Sequence, residues 1–177
     1  MKKIETTPDP KIDLSEADIV YANRKHLQSF HETLGVVARE KIYIEMVEAP
    51  EFTQSLDFFD KQMTNNWPAY YAIENGKVVG WADISTSSNP RTNHRGGLGM
   101  GLLSSHRGKG LGSKLLLKCL EHAKLIGIEK IELIVYTTNA DAIKLYKKLG
   151  FIEEGIIKSY RKLDGESFDC LAMGKFL

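Results

Sequence analysis

The stretch Arg107-Gly108-Lys109-Gly110-Leu111-Gly112-Ser113 has the residue types that hold an anion by its main chain. It runs straight into the strongest helical stripe of the chain, made of Leu111, Leu115, Leu116, Cys119, Leu120 and Ala123. A helix start leaves N–H groups without partners and carries partial positive charge, and glycines leave those groups uncovered. A phosphate or pyrophosphate is the natural guest, with Arg107 and Lys109 adding charge at the rim. The nucleoside-triphosphate loop pattern fails, because Leu103 stands where its first glycine belongs and Gly110 where its hydroxyl residue belongs. The dinucleotide fingerprint fails too, with Ser113 in place of its third glycine. What fits is R-x-x-G-x-G. Further on, Asn139 opens a second helical run and Tyr146 lies seven residues later on the same face. On spacing alone Asn139 reads as a helix cap and Tyr146 as a half-buried core aromatic.

These residues need elements to hold them. Ser15 with Asp18 resembles a helix-start pair, and Leu27, Phe30, Leu34 and Val37 recur at helical spacing. A shorter helix is expected after Pro50, with Phe52, Leu56, Phe59 and Met63 on one face. Tyr70–Glu74 and Lys77–Ser85 are apolar-rich runs joined by Asn75-Gly76, which predicts a hairpin. Arg95–Leu103 reads as a strand despite Gly96, Gly97, Gly99 and Gly101, and such glycines suit close approach by a ligand or another backbone. The helix from Leu111 ends at Gly127, Ile131–Tyr136 is a strand, Asn139–Leu149 a helix ended by Gly150, and Phe151–Ile157 a strand. A last hairpin turns at Asp164-Gly165. This order predicts an α/β domain with a mixed sheet, in one unit over 1–177.

Composition narrows the partners. With 42% hydrophobic and 27% charged residues the chain is globular rather than disordered. Lys plus Arg number 24 against 23 Asp plus Glu, and a formal charge of +1 argues against a general nucleic-acid binder. Cys119 and Cys170 lack metal or disulfide spacing and read as reduced, small hydrophobes. His26, His31, His106 and His122 make no metal spacing either, so no metal is expected. No run of ~18 apolar residues suggests a membrane span. Met1-Lys2-Lys3-Ile4-Glu5-Thr6 lacks the apolar core of a signal peptide, so the expected location is cytoplasmic.

Ser105-His106-Arg107-Gly108-Lys109-Gly110-Leu111-Gly112-Ser113 resembles the acetyl-coenzyme A loop of the GCN5-related N-acetyltransferases (GNAT). Asn139-Ala140-Asp141-Ala142-Ile143-Lys144-Leu145-Tyr146-Lys147-Lys148-Leu149-Gly150-Phe151 is similar to that family's N-x-x-A-x-x-x-Y-x-x-x-G-F run. The resemblance covers Trp67 to the C-terminus well and the N-terminal helices more loosely. Gly80-Trp81-Ala82-Asp83, His94–Gly101 and Asp164–Asp169 resemble the amino-acid and phosphinothricin N-acetyltransferase group in particular.

The resemblance implies the GNAT fold: a mixed, mostly antiparallel sheet of about seven strands, splayed between strands 4 and 5 and flanked by about four helices. It implies a transferase that moves an acetyl group from acetyl-coenzyme A to a primary amine of a small molecule such as an amino acid, by direct attack through a tetrahedral intermediate. Cofactor-binding positions would be Leu102, Leu103, Ser104, Arg107, Gly108, Lys109, Gly110, Leu111, Gly112, Ser113, Asn139 and Tyr146. An unpaired N–H near Leu102 or Leu103 would steady the thioester oxygen. Asn139 would hold the pantetheine and Tyr146 protonate the departing thiolate, a role that suits a phenol with a pKa of ~10. An ammonium must lose its proton before it attacks, and His94 is the candidate base, with Asp83 and Glu45 behind it. Tyr21, Arg24 and Ile42–Met46 lie where the family often builds its acceptor pocket. Acceptors of other kinds, a polyamine, an aminoglycoside or a protein N-terminus, stay open, as does a coenzyme A sensor without catalysis. A homodimer is the default assembly of such a family.

Overall fold

A computed structural model describes residues 17–177. In chain order its elements are β1 (Asp18–Tyr21), α1 (Leu27–Arg39), α2 (Phe52–Thr64), β2 (Ala69–Glu74), β3 (Lys77–Thr86), β4 (Arg95–Leu102), α3 (Leu111–Leu125), β5 (Lys130–Tyr136), α4 (Ala140–Lys148), β6 (Ile152–Leu163) and β7 (Glu166–Phe176). The strands form one seven-stranded sheet in the order β1-β2-β3-β4-β5-β7-β6. Every neighbouring pair is antiparallel except β4 with β5.

The turn chemistry follows the sequence closely. Asn75 and Gly76 have φ of 50° and 76°, and Asp164 and Gly165 have φ of 49° and 88°, the paired positive angles that a two-residue hairpin turn requires. One expectation is corrected. Asp18 starts a strand rather than a helix, and Ser15 lies outside the described residues. Asp18-Ile19-Val20-Tyr21 is β-branched and aromatic, and it finds the free edge of β2 in register Asp18↔Ile73 to Tyr21↔Tyr70. The helical repeat begins only at Leu27.

Alternation along the strands divides the sheet into two faces. One face carries Ala82, Ile84, Leu98, Met100, Leu102, Ile131, Leu133 and Val135, packed against Leu115, Leu116 and Cys119 of α3 and against Ile143, Leu145 and Tyr146 of α4. Leu115 and Leu116 are fully buried, each contributing roughly 1.5–3 kcal/mol by leaving water. The other face carries Tyr71 and Trp81 beneath Phe30, Leu34 and Val37 of α1 and Phe59 of α2. On β4 this second face belongs to Gly97, Gly99 and Gly101. A Cβ on Gly101 would lie 2.3 Å from the Trp81 indole, so the ring occupies the space that a side chain would need.

The seam between β4 and β5 is short. It has only the pairs Arg95↔Lys130, Gly96↔Ile131 and Gly97↔Glu132. Beyond Gly97, β4 runs on to Leu102 beside β3, while β5 runs on to Tyr136 beside β7. The two strands part there, and the sheet is split from Leu98 onward.

Candidate active site

Three features converge on the split. The first is the turn after β4. Gly108 and Gly110 have φ of 73° and 81°, and no atom lies within 4 Å of a Cβ built on either. Gly110 is the left-handed residue immediately before α3. The Lys114 N–H closes on the Gly110 carbonyl at 3.2 Å. The N–H groups of Leu111, Gly112 and Ser113 therefore belong to the first turn, where the helix has no carbonyls of its own to offer. Gly112 lets this helix start approach the strand edge closely, since its Cβ would sit 3.2–3.4 Å from Leu145, Leu102 and Met100.

The rim charge differs from the expected arrangement. The Arg107 guanidinium makes paired hydrogen bonds of 2.8 and 2.6 Å to Glu40 and donates through Nε and Nη2 to the Leu102 carbonyl at 3.0 and 2.7 Å. It also lies 4.1 Å over the Tyr43 ring. Its charge is matched by Glu40, and its work is to clamp the end of β4 to the end of α1. Lys109 donates to the Ser105 carbonyl at 2.7 Å across the turn.

The second feature is the strand edge. The Leu103 N–H donates to the Val79 carbonyl at 2.9 Å. In an antiparallel ladder such exchange recurs at every second residue, so Gly101 and Gly99 also turn their amides toward β3. Met100 and Leu102 turn theirs the other way, into the split. Of the two oxyanion donors that the sequence offered, Leu103 is occupied, and Leu102 has an N–H aimed at the gap.

The third feature is α4. Asn139 Oδ1 accepts the Ala142 N–H at 3.3 Å, a side-chain cap on the helix. Tyr146 is buried in the α3-side core beside Phe151, with ring centroids 5.7 Å apart. Burial pushes its pKa up to about 12.

The candidate bases are spread out. His94 is exposed just before β4, and its carbonyl accepts the Glu129 N–H at 2.9 Å. It lies at the closed end of the seam, about 13 Å along the strand from Leu98 at ~3.3 Å per residue. Glu45 is exposed, 3.9 Å from Arg161. Asp83 pairs in register with Gly99, and a Cβ on that glycine would be 3.3 Å from its carboxyl. Asp83 is half-buried by surface, but its carboxyl sits in a dense shell of protein atoms. Desolvation there raises its pKa to about 7. Tyr21 and Arg24 are engaged elsewhere: the Tyr21 hydroxyl donates to the Trp67 carbonyl and Arg24 pairs with Asp60.

A cavity of about 460 Å³ opens where the strands part, lined by Gly97, Leu98, Glu132, Leu133, Glu45 and Arg161 among others. Sequence reasoning missed Arg161 and the Glu40–Arg107 clamp. Neither has a local spacing signal, because the partners come together only through the fold.

Comparisons with known proteins place the chain in a family. Residues 38–151 match the family model described as Acetyltransferase (GNAT) family. An L-amino acid N-acetyltransferase of Escherichia coli (strain K12) is 35% identical over 105 residues, spanning 59% of this chain and 65% of the relative. A Bacillus subtilis (strain 168) protein, named provisionally for phosphinothricin acetylation, is 32% identical over 116 residues, spanning 64% and 71%. A GNAT-family acetyltransferase structure from Streptococcus pneumoniae matches with a TM-score of 0.85 at 28% identity, covering 92% of this chain and all of that one. A Sinorhizobium meliloti phosphinothricin acetyltransferase solved with acetyl-coenzyme A matches in fold with a TM-score of 0.85 at 21% identity, covering 91% and 88%.

Proposed function

Since the chain belongs to the acetyltransferase (GNAT) family, and acetyl-coenzyme A is that family's acetyl donor, we propose that it acetylates the primary amine of a small molecule of the amino-acid kind. The observation that carries this reading is the coincidence of two kinds of free amide at one end of β4. Met100 and Leu102 face the split, and the first turn of α3 begins nine residues after Leu102 at Leu111.

The residues present suit the donor. The Leu111, Gly112 and Ser113 amides, approached over the bare Gly108 and Gly110, would hold the pyrophosphate. The Met100 and Leu102 edge and Asn139 would hold the pantetheine arm. Bound there, the donor supplies an activated acetyl group and a thiol leaving group. The Leu102 N–H would stabilise negative charge developing on the thioester oxygen. Tyr146, held protonated by burial, would give its proton to the thiolate. Asp83 is the base we favour over His94 and Glu45, because it stands opposite Gly99 on the glycine face of β4, between the cavity at Gly97 and the Leu102 amide. With a pKa of about 7 it is substantially ionised at neutral pH while still basic enough to accept a proton.

The direct test is thiol release from acetyl-coenzyme A in the presence of amino acids, polyamines, aminoglycosides and peptides. Release with at least one amine supports the reading. Binding of the donor without release for any amine would make the chain a coenzyme A sensor instead.

A further inference from the structure

β6 does not run straight. Its register with β7 shifts between Ile157 and Arg161, and Ser159 stands at φ 50°. Asp169 on β7 holds this bulge from both sides, accepting the Ser159 N–H at 2.9 Å and the Lys158 ammonium at 2.7 Å. A bulge of this kind re-aims the side chains around it. Here Arg161 turns inward, leaving only 12% of its side chain exposed.

Its surroundings do not satisfy it. The guanidinium lies 4.6 Å over the Tyr136 ring and 5.9 Å from that of Tyr160. Its Nε and Nη1 are buried without a hydrogen-bond partner. Its Nη2 is 3.9 Å from Glu45, beyond hydrogen-bond range, and Glu45 is itself 75% exposed. A guanidinium stays charged in a protein, so an enclosed one with two idle donors costs stability unless something else is meant to fill them. Apart from the exposed Glu45, the other charges of the cavity are already matched. Glu132 binds Arg95 and Lys130, and Glu154 binds Lys130. The cavity beside the parting of β4 and β5 is thus lined by one guanidinium whose donors the protein leaves unfilled.

We propose that Arg161 is the anion anchor of the acceptor site and that the acceptor carries a carboxylate. The inference rests on the acetyl-transfer reading and narrows it. An amino acid would place its carboxylate against the Arg161 guanidinium, a charge-assisted pairing that suits the two groups. Arg161 lies over Tyr136, which the parallel register sets level with Gly101, so the amine would point across the split toward the Leu102 end of β4, where the thioester would lie. Space of about 460 Å³ is ample for one amino acid. Polyamines and aminoglycosides bring cations to the same guanidinium and are disfavoured by repulsion.

The test is steady-state thiol release with amino acids and with their decarboxylated amines, for the intact protein and for Arg161→Gln and Arg161→Lys. The native protein should prefer each amino acid over its decarboxylated amine. Arg161→Gln should raise the amino-acid KM by about 100-fold, as expected when one partner of an enclosed charge pair is removed, with kcat little changed. Arg161→Lys should restore part of that loss. The KM for the decarboxylated amine, and the donor affinity measured by calorimetry, should stay within about twofold. Equal damage to both substrate types, or a native preference for the decarboxylated amine, overturns the anchor while leaving acetyl transfer intact. Failure to release thiol with any amine overturns acetyl transfer and the anchor together. Should Arg161→Gln not fold, the native protein's preference and the Arg161→Lys variant still decide.

Discussion

Burial keeps the Tyr146 hydroxyl protonated well above neutral pH, which is the state a proton donor needs. Tyr146→Phe retains the ring and its packing on Phe151, so the fold should stand. Turnover should fall by about 10²-fold, the lower range for general acid catalysis, with the donor KM changed far less. A thiol-release assay reads both, and unchanged turnover would mean that water or another group supplies the proton. Asp83 makes a second prediction. Only its ionised form can accept a proton, so kcat/KM should fall as pH drops below about 7. Asp83→Asn should abolish that inflection and lower the plateau by about 10²-fold. Stability moves in the opposite direction. The folded protein holds the Asp83 proton up to about pH 7, whereas an unfolded chain releases it near ~3.9. This favours the fold below that lower value and is progressively lost as pH rises through 7. At pH 8 Asp83→Asn should therefore raise Tm by roughly 2–4 °C for each kcal/mol relieved, and the gain should shrink toward pH 4.

Among elements, the proposed donor site rests on the β4–turn–α3 unit. Gly110 sits at φ 81° with open space around it, so a side chain there meets no protein clash but stands over the amides. Gly110→Val should weaken acetyl-coenzyme A binding by at least tenfold in calorimetry. The strained left-handed backbone adds about 1–2 kcal/mol of destabilisation. Gly110→Asn, which tolerates that backbone better, separates the two effects: it should keep most of the stability and still lose affinity. An unaltered affinity in both would remove this turn from the donor site. Much of the unit was legible in sequence, because glycine spacing and an amphipathic stripe are local signals. The N-terminal strand was not. Asp18–Tyr21 is only four residues long, and its strand character comes from pairing with β2, a contact across about fifty residues. Arg107 shows the same limit: the motif marks its position, but only the fold reveals that Glu40 and the Leu102 carbonyl take up its donors. Arg161 left no trace in sequence, since its inward turn depends on a bulge set by Asp169.

At the scale of the whole molecule, the sheet is two blocks, β1–β4 and β5–β7, joined by a seam of three residue pairs. A donor held in the split as proposed would touch both blocks and bind only when they are assembled. Saturation at 100 times Kd should stabilise the fold by about 2.7 kcal/mol, a rise in Tm of roughly 5–10 °C for a domain of this size. Differential scanning calorimetry with and without acetyl-coenzyme A measures it, and free coenzyme A should reproduce most of the shift. In the proposed arrangement the acceptor would enter from the cavity beside Gly97 and Leu98 and the donor from the glycine turn, so both would be bound together. Both cysteines are buried, and burial pushes the Cys119 thiol well above its usual range, which leaves neither suited to carry an acetyl group. Initial-rate plots with both substrates varied should accordingly intersect rather than run parallel.

The short seam also has a mechanical consequence. Arg95, Lys130, Glu132 and Glu154 lock together over it, tying β4, β5 and β6 at the closed end of the gap. They act as a rivet at the hinge of a pair of tongs. These pairs are only partly shielded from water, so added salt would screen them and loosen the tie that holds the two jaws at one end.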